Sequence, residues 1–184
     1  MKPVDGVMSR CGSEIAGMIF AMKKLLVMLM IALASISNVN ASVTSDAPYS
    51  AKDFEEAVAL IKKYETLHTA KHWPLVGYGH KVQPGENFRR GTTLSESQAD
   101  ALLRKDLKKF VDYYKAYGKD SLLLGVLAYN VGPGRVNKST VLHLLKQGNR
   151  NIKSAFEAMC RYKGKVHSQI HKRRVEEYKA LFRH

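Results

Sequence analysis

At 184 residues and 45% hydrophobic composition, the chain is long enough for one domain with a real core and shows no low-complexity block, which excludes a largely disordered protein. Its charge is lopsided: 30 Lys plus Arg stand against 16 Asp plus Glu, and the net +14 favours an anionic partner, whether nucleic acid, membrane surface or cell-wall polymer. Cys11 and Cys160 are the only cysteines and lie far apart, which excludes a disulfide framework and a paired-Cys metal site.

Residues 22–41 read MKKLLVMLMIALASISNVNA: two lysines, an apolar run from Leu25 to Ala34, and a Val-Asn-Ala ending that suits signal peptidase. The run is well short of the ~20 apolar residues of a spanning helix. No Cys follows it to carry a lipid. The expectation is therefore a cleaved export signal, cut after Ala41, with no stable membrane anchor and a periplasmic or secreted product. Met22 opens a complete signal by itself, so residues 1–21 read as an extension from a start codon placed too early. Residues 42–52 read as a linker and 53–184 as the folded domain.

Ser50 followed by Asp53 is a helix-start signal, and Phe54, Val58, Ile61 and Glu65 then recur on one helical face. Residues 73–88 carry Pro74, Gly77, Gly79, Pro84 and Gly85 among alternating apolar and polar residues, which predicts a short, turn-rich β-hairpin. Ser95 to Gln98 is a capping box for a long helix whose stripe is Ala99, Leu102, Leu103, Leu107, Phe110, Val111 and Tyr114. The run SLLLGVLAYNV from Ser121 is apolar nearly all round, the pattern of a helix inside a core. Gly132-Pro133-Gly134 stops it, Ser139 caps the next helix, and two more are expected at about residues 152–162 and 168–182. Cys160, on the first of these, reads as a small buried apolar residue.

Glu65 is the leading chemical candidate. A carboxylate on an apolar face loses hydration, which raises its pKa and suits it to donate a proton near neutrality, while a helix-end Glu pointing to water is the competing reading. His68 and His72 are four apart, but no HExxH pattern is present and the helix is broken before Pro74, so a zinc site is not expected. VGPGRV lacks the ending of a phosphate loop. Lys172-Arg173-Arg174 reads as a solvated cationic face of a helix whose other face carries Ile170, Tyr178 and Leu181.

Three stretches in order resemble the phage-type lysozymes, the endolysin or muramidase family, over about residues 53–182. They are KYE at Glu65 followed by Gly77-Tyr78-Gly79-His80, then LAYNVGPG with NKSTVL, then RYKGKVHSQIHKRRVEEYKALF. The resemblance implies an α+β lysozyme-like fold, a mostly helical lobe and a small β-hairpin lobe flanking a sugar-binding cleft. It implies a cofactor-free glycoside hydrolase that cuts the β-1,4 bond between N-acetylmuramic acid and N-acetylglucosamine in peptidoglycan, with Glu65 as general acid. Tyr78 and Asn130, inside the matching stretches, and Glu86 are the expected substrate-binding residues. The expected partner is peptidoglycan rather than nucleic acid, met by a monomer.

The chain departs from the family where the second catalytic group belongs. Thr66 stands where Gly is usual, the segment from Glu65 to Gly77 is shorter than usual, and it contains no Asp or Glu. The family's Asp and Thr positions fall at Thr69 and Leu75. An inverting hydrolase needs a base or positioning group about 6.5 to 9.5 Å from the acid. Three solutions are open: His72 or His80 orients the water, Glu86 folds back to do so, or the acid works alone as in lytic transglycosylases. A non-catalytic peptidoglycan-binding module is a further alternative.

Overall fold

Ser50 starts the first helix as its sequence predicts, its hydroxyl accepting from the Asp53 N–H at 3.1 Å while the Asp53 carboxylate accepts from the Ser50 N–H at 3.0 Å. The structure, a computed structural model, describes residues 48–183. The expected export signal and extension, residues 1–41, lie outside the described residues.

The first helix, α1, spans Ala51–Tyr64 and buries Ala57, Val58 and Ile61. A single 3-10 turn at Ala70–His72 leads to the antiparallel pair β1, Leu75–Val76, and β2, His80–Lys81, with Val76 opposite His80. The next helix, α2, spans Glu96–Tyr113 from the Ser95–Gln98 capping box and buries Ala99, Leu103, Leu107 and Val111. After a 3-10 segment, Lys115–Asp120, helix α3 spans Ser121–Val131 and is buried from Ser121 through Ala128, as an all-round apolar run requires.

Gly132, at φ +82°, ends α3, but the Gly-Pro-Gly also starts a helix: Pro133 is the first residue of the short α4, Pro133–Asn137. Proline's fixed φ and missing N–H suit that first position. Ser139 caps α5, Thr140–Lys146. The helix expected at 152–162 is shorter: α6 is Lys153–Glu157, and the chain then forms a second antiparallel pair, β3, Arg161–Tyr162, and β4, Lys165–Val166. Lys163 and Gly164 take φ of +49° and +80°, the two-residue turn that closes a tight hairpin. The last helix, α7, spans Ser168–Leu181. The fold is α+β, mostly helical, with two small hairpins where one was expected.

The core is built on α3. Gly125 brings it unusually close to α2, since a Cβ there would lie 2.6 Å from Val111 Cγ2 and 3.0 Å from the Val111 nitrogen. Ion pairs fasten the periphery: Arg104 joins Glu55 of α1 to Asp100 of α2, and Arg150 holds buried Asp120 through two bonds of 2.6 and 3.0 Å. Cys160 is buried, as expected of a small apolar residue.

Candidate active site

Glu65 is the residue at which α1 stops. Its N–H still bonds back to the Ile61 carbonyl at 2.7 Å, but its own backbone is extended (φ −102°, ψ 101°), which turns the side chain off the helix. The apolar stripe predicted around it ends at Ile61. The carboxylate, 21% exposed, is met by polar donors instead: Arg173 Nη1 at 2.7 Å and Asn130 Nδ2 at 3.1 Å, both to Oε1.

The hairpin loop covers the other oxygen. Gly79 has φ +92°, and a Cβ there would lie 3.5 Å from Glu65 Oε2. Glycine serves the backbone angle, which other residues resist, and a methyl added here would rest in ordinary van der Waals contact with the acid. Gly77 (φ +56°) packs the loop's other end onto Ala99 of α2.

Behind Glu65 lies a charged network that the sequence reading placed in solvent. Arg173 and Arg174 are 4% and 0% exposed, and Glu177 is 0% exposed. Arg173 Nε donates to Glu177 Oε1 at 2.7 Å, Arg174 Nη1 lies 2.6 Å from Glu177 Oε2 without hydrogen-bond alignment, and Arg174 Nη2 donates to Asn130 Oδ1 at 2.5 Å. Burial would lower Arg173, but Glu177 and Glu65 outweigh it and its pKa is raised. Burial pulls Arg174 down to about 10, against Glu177, so it remains a cation at neutral pH. Burial pushes Glu177 up, opposed by Arg174 and Arg173. The arginines could have been found from spacing: residues 170, 173, 174, 177, 178 and 181 form one face of α7, so the arginines share the face of Ile170, Tyr178 and Leu181.

The second cluster centres on His80. Nδ1 lies 2.6 Å from Asp106 Oδ2 and Nε2 lies 2.9 Å from Glu86 Oε2. Both ring nitrogens face carboxylate oxygens, an arrangement that favours the protonated ring. Burial alone would lower its pKa, but Glu86 and Asp106 outweigh that and it is raised. The Gln83 N–H, followed by His80, holds Glu86 below the usual carboxylate range. His80 thus has no free nitrogen for a water. The groups it leaves facing outward are carboxylate oxygens. Asp106, on α2, was not singled out in the sequence, although its place beside Leu103, Leu107 and Phe110 on the helix put it at the edge of the buried stripe.

Gly79, which lies against Glu65, lines a cavity of about 200 Å³ together with His80, Gln83, Asp106, Phe110 and Tyr129. Tyr129 stands within electrostatic reach of both clusters: burial raises its phenol, and Asp106 and Glu65 add to the rise. Its hydroxyl donates to the Tyr78 carbonyl at 2.7 Å, pinning the hairpin loop to α3.

The remaining expected site residues are placed as follows. Asn130 joins Glu65 to Arg174. Glu86 belongs to the His80 cluster with a third of its side chain exposed. Tyr78 is buried at 7%, with Lys62 Nζ 5.3 Å from its ring centre, which places the ring in the core rather than toward a ligand. His72 Nδ1 accepts from the Thr69 N–H at 2.9 Å, and its ring meets His68 edge-on at 4.8 Å, so it closes the 3-10 turn. His68 Nδ1 donates to the carbonyls of Thr66 and Gly77 and stitches that loop to the hairpin.

Comparison with known proteins agrees with this architecture. The endolysins of Bacillus phage B103 and Bacillus phage PZA are 34% and 33% identical over 128 and 129 residues, covering 63% and 66% of this chain and 45% and 48% of their own. The chain therefore spans about half the length of the curated relatives it matches. Among solved structures, the muramidase domain of SpmX from Asticaccaulis excentricus superposes with a TM-score of 0.59 at 24% identity, over 70% of this chain and 96% of that one. The endolysin from Escherichia coli O157:H7 phage FAHEc1 does so with a TM-score of 0.57 at 22% identity, over 68% and 90%. Both likenesses are of fold, and the fold is lysozyme-like. The family model described as phage lysozyme matches residues 61–177, a stretch that holds Glu65, the glycine hairpin and the α7 arginines, and the chain belongs to that family.

Proposed function

We propose that the protein is a peptidoglycan hydrolase, a muramidase that cleaves the β-1,4 bond between N-acetylmuramic acid and N-acetylglucosamine with Glu65 as general acid. The observation that carries the reading is the setting of Glu65: one carboxylate at a helix end, roofed by Gly79 and held from behind by Arg173 and Asn130. Glycosidic cleavage needs a proton delivered to the leaving oxygen while the sugar develops oxocarbenium character. Once that proton has left, the new carboxylate meets two donors already in place, and no reorganisation is required.

The water-positioning part falls to the His80 cluster. The segment between Glu65 and Gly77 supplies no carboxylate, but the His80 ring holds Asp106, which lines the cavity beside Gly79, and Glu86 on its other nitrogen. In this assignment His80 is a positioning residue for carboxylates rather than the group that touches water. The chain acts as a monomer outside the cytoplasm after removal of residues 1–41, and a mature product whose mass begins at Ser42 is the expected result.

Digestion of purified peptidoglycan by the wild type and by Glu65→Gln, with product analysis, tests the reading. New reducing muramic ends in the first and at least a ~10²-fold loss in the second are expected. Anhydro-muramic ends would instead make it a lytic transglycosylase, the reading favoured by the absence of a carboxylate between Glu65 and Gly77. Binding without turnover would make it a wall-binding module.

A further inference from the structure

The β3–β4 hairpin takes no part in the site above, yet it is the most exposed ordered element of the described chain. Tyr162 and Val166 are 58% and 62% exposed. Arg161, Lys163 and Lys165 lie within the same six residues, and residues 158–175 contain no Asp or Glu. Arg161 Nη1 donates to the Gly164 carbonyl at 3.0 Å and Lys163 Nζ sits 5.4 Å from the Tyr162 ring centre. Among the described residues none of the three forms an ion pair with a carboxylate. Cations held close together without counter-charges repel one another, so an external anion is stabilised there.

The register decides what kind of anion. Arg161 pairs with Val166 and Tyr162 with Lys165, and cross-strand partners share a face. Each face therefore carries one cation beside one apolar or aromatic group, and the tip is Lys163-Gly164. A bilayer calls for apolar groups gathered on one side. This hairpin offers none, but it suits a polymer chain laid across it, charges to the cations and the apolar C–H face of a sugar against Tyr162.

A cavity of about 570 Å³ adjoins the base of the hairpin, between Lys153, Ser154, Glu157, Val166 and His171, with Glu157 as its one acid. It is turned away from the acid: His171 precedes Arg173 by two residues, about 200° around the helix, and Arg173 faces Glu65. We propose that the β3–β4 hairpin and this cavity form a second, non-catalytic anchoring site for the carboxylate-bearing peptide stems of the wall polymer. The inference rests on the muramidase reading for the identity of the polymer and adds where the chain grips it.

The test measures retention of the full chain carrying Glu65→Gln, which holds the substrate without cutting it, on insoluble peptidoglycan. The same chain with R161Q, K163Q and K165Q added is expected to be retained about tenfold less at low salt, with a flatter salt dependence. On peptidoglycan whose carboxylates have been blocked as ethanolamine amides, the two should be retained equally weakly. Replacement of the lysines by arginine, K163R and K165R, should keep full retention. Equal retention of the two chains on native peptidoglycan overturns the proposal. So does an equal loss on the blocked polymer, or an equally large loss on anionic phospholipid vesicles or DNA. Failure of the muramidase reading is separate, because it shows as absent turnover by the chain with Glu65 intact.

Discussion

The molecule contains two antiparallel hairpins of equal strand length put to opposite use. In β1–β2 all but Lys81 is drawn inward: Val76 and Tyr78 are buried, Gly79 lies on the Glu65 carboxylate, and His80 is fastened to α2. In β3–β4 all the residues of the two strands are exposed, and beyond the hairpin's own bonds little holds the side chains. The loops differ by one residue, three between Val76 and His80 and two between Tyr162 and Lys165, but the larger difference is what each hairpin packs against. A hairpin of two-residue strands has almost no stability of its own. The first gains a defined shape from α2, α3 and the ion network. The second keeps its side chains free for solvent or for a ligand.

The largest expected effect comes from removing the wall behind the first hairpin. Glu177→Gln leaves Arg173 and Arg174 buried without their shared counter-charge and should cost about 3 to 5 kcal/mol. Chemical denaturation measures this, whereas Lys165→Gln on the second hairpin should change stability by no more than about 0.5 kcal/mol. Glu65→Gln should lower turnover at least ~10²-fold while costing less stability than Glu177→Gln, because Arg173 keeps Glu177 as its counter-charge.

The two turns can also be compared at matched glycines. Gly79→Ala and Gly164→Ala both force alanine to positive φ, +92° and +80°, and each should cost about 1 to 2 kcal/mol. Gly79→Ala should also lower activity, because the new methyl lies against the Glu65 carboxylate. Gly164→Ala should not, since nothing lies within 4 Å of its Cβ. The smallest effect is the pH dependence through His80. Its folded pKa, against the lowering by burial, is raised above the ordinary histidine value of 6.5 by Glu86 and Asp106. The stability it contributes is therefore complete below about pH 6.5 and lost as pH rises through the folded value. Melting curves from about pH 6 to about pH 9 should fall more steeply for the wild type than for His80→Asn, by about 1 kcal/mol or less.

Much of the fold was legible because its signals are local. The capping boxes at Ser50 and Ser95, the all-round apolar run from Ser121 and the stop at Gly132 each act through neighbours in sequence. The second hairpin was missed because Arg161 to Val166 has no apolar face to mark it. Its evidence is Lys163-Gly164, and a two-residue turn is easily read as a fray in a helix. Glu65 was legible by position, but its surroundings were not. Arg173 lies 108 residues away, and its charge argued for solvent until the spacing with Glu177 and Leu181 was taken into account. The His80 cluster likewise joins residues from two elements, and only the fold brings Asp106 to it.

Gly125 carries a mechanical consequence. Where a Cβ would strike Val111, α2 and α3 touch backbone to backbone, and no sliding layer of side chains separates them. Asp106 and Phe110 on one helix and Tyr129 and Asn130 on the other therefore travel as a single stiff plate. The β1–β2 hairpin is tied to that plate by the bond from His80 to Asp106 and by the bond from Tyr129 to the Tyr78 carbonyl, so its position is set by the same two helices.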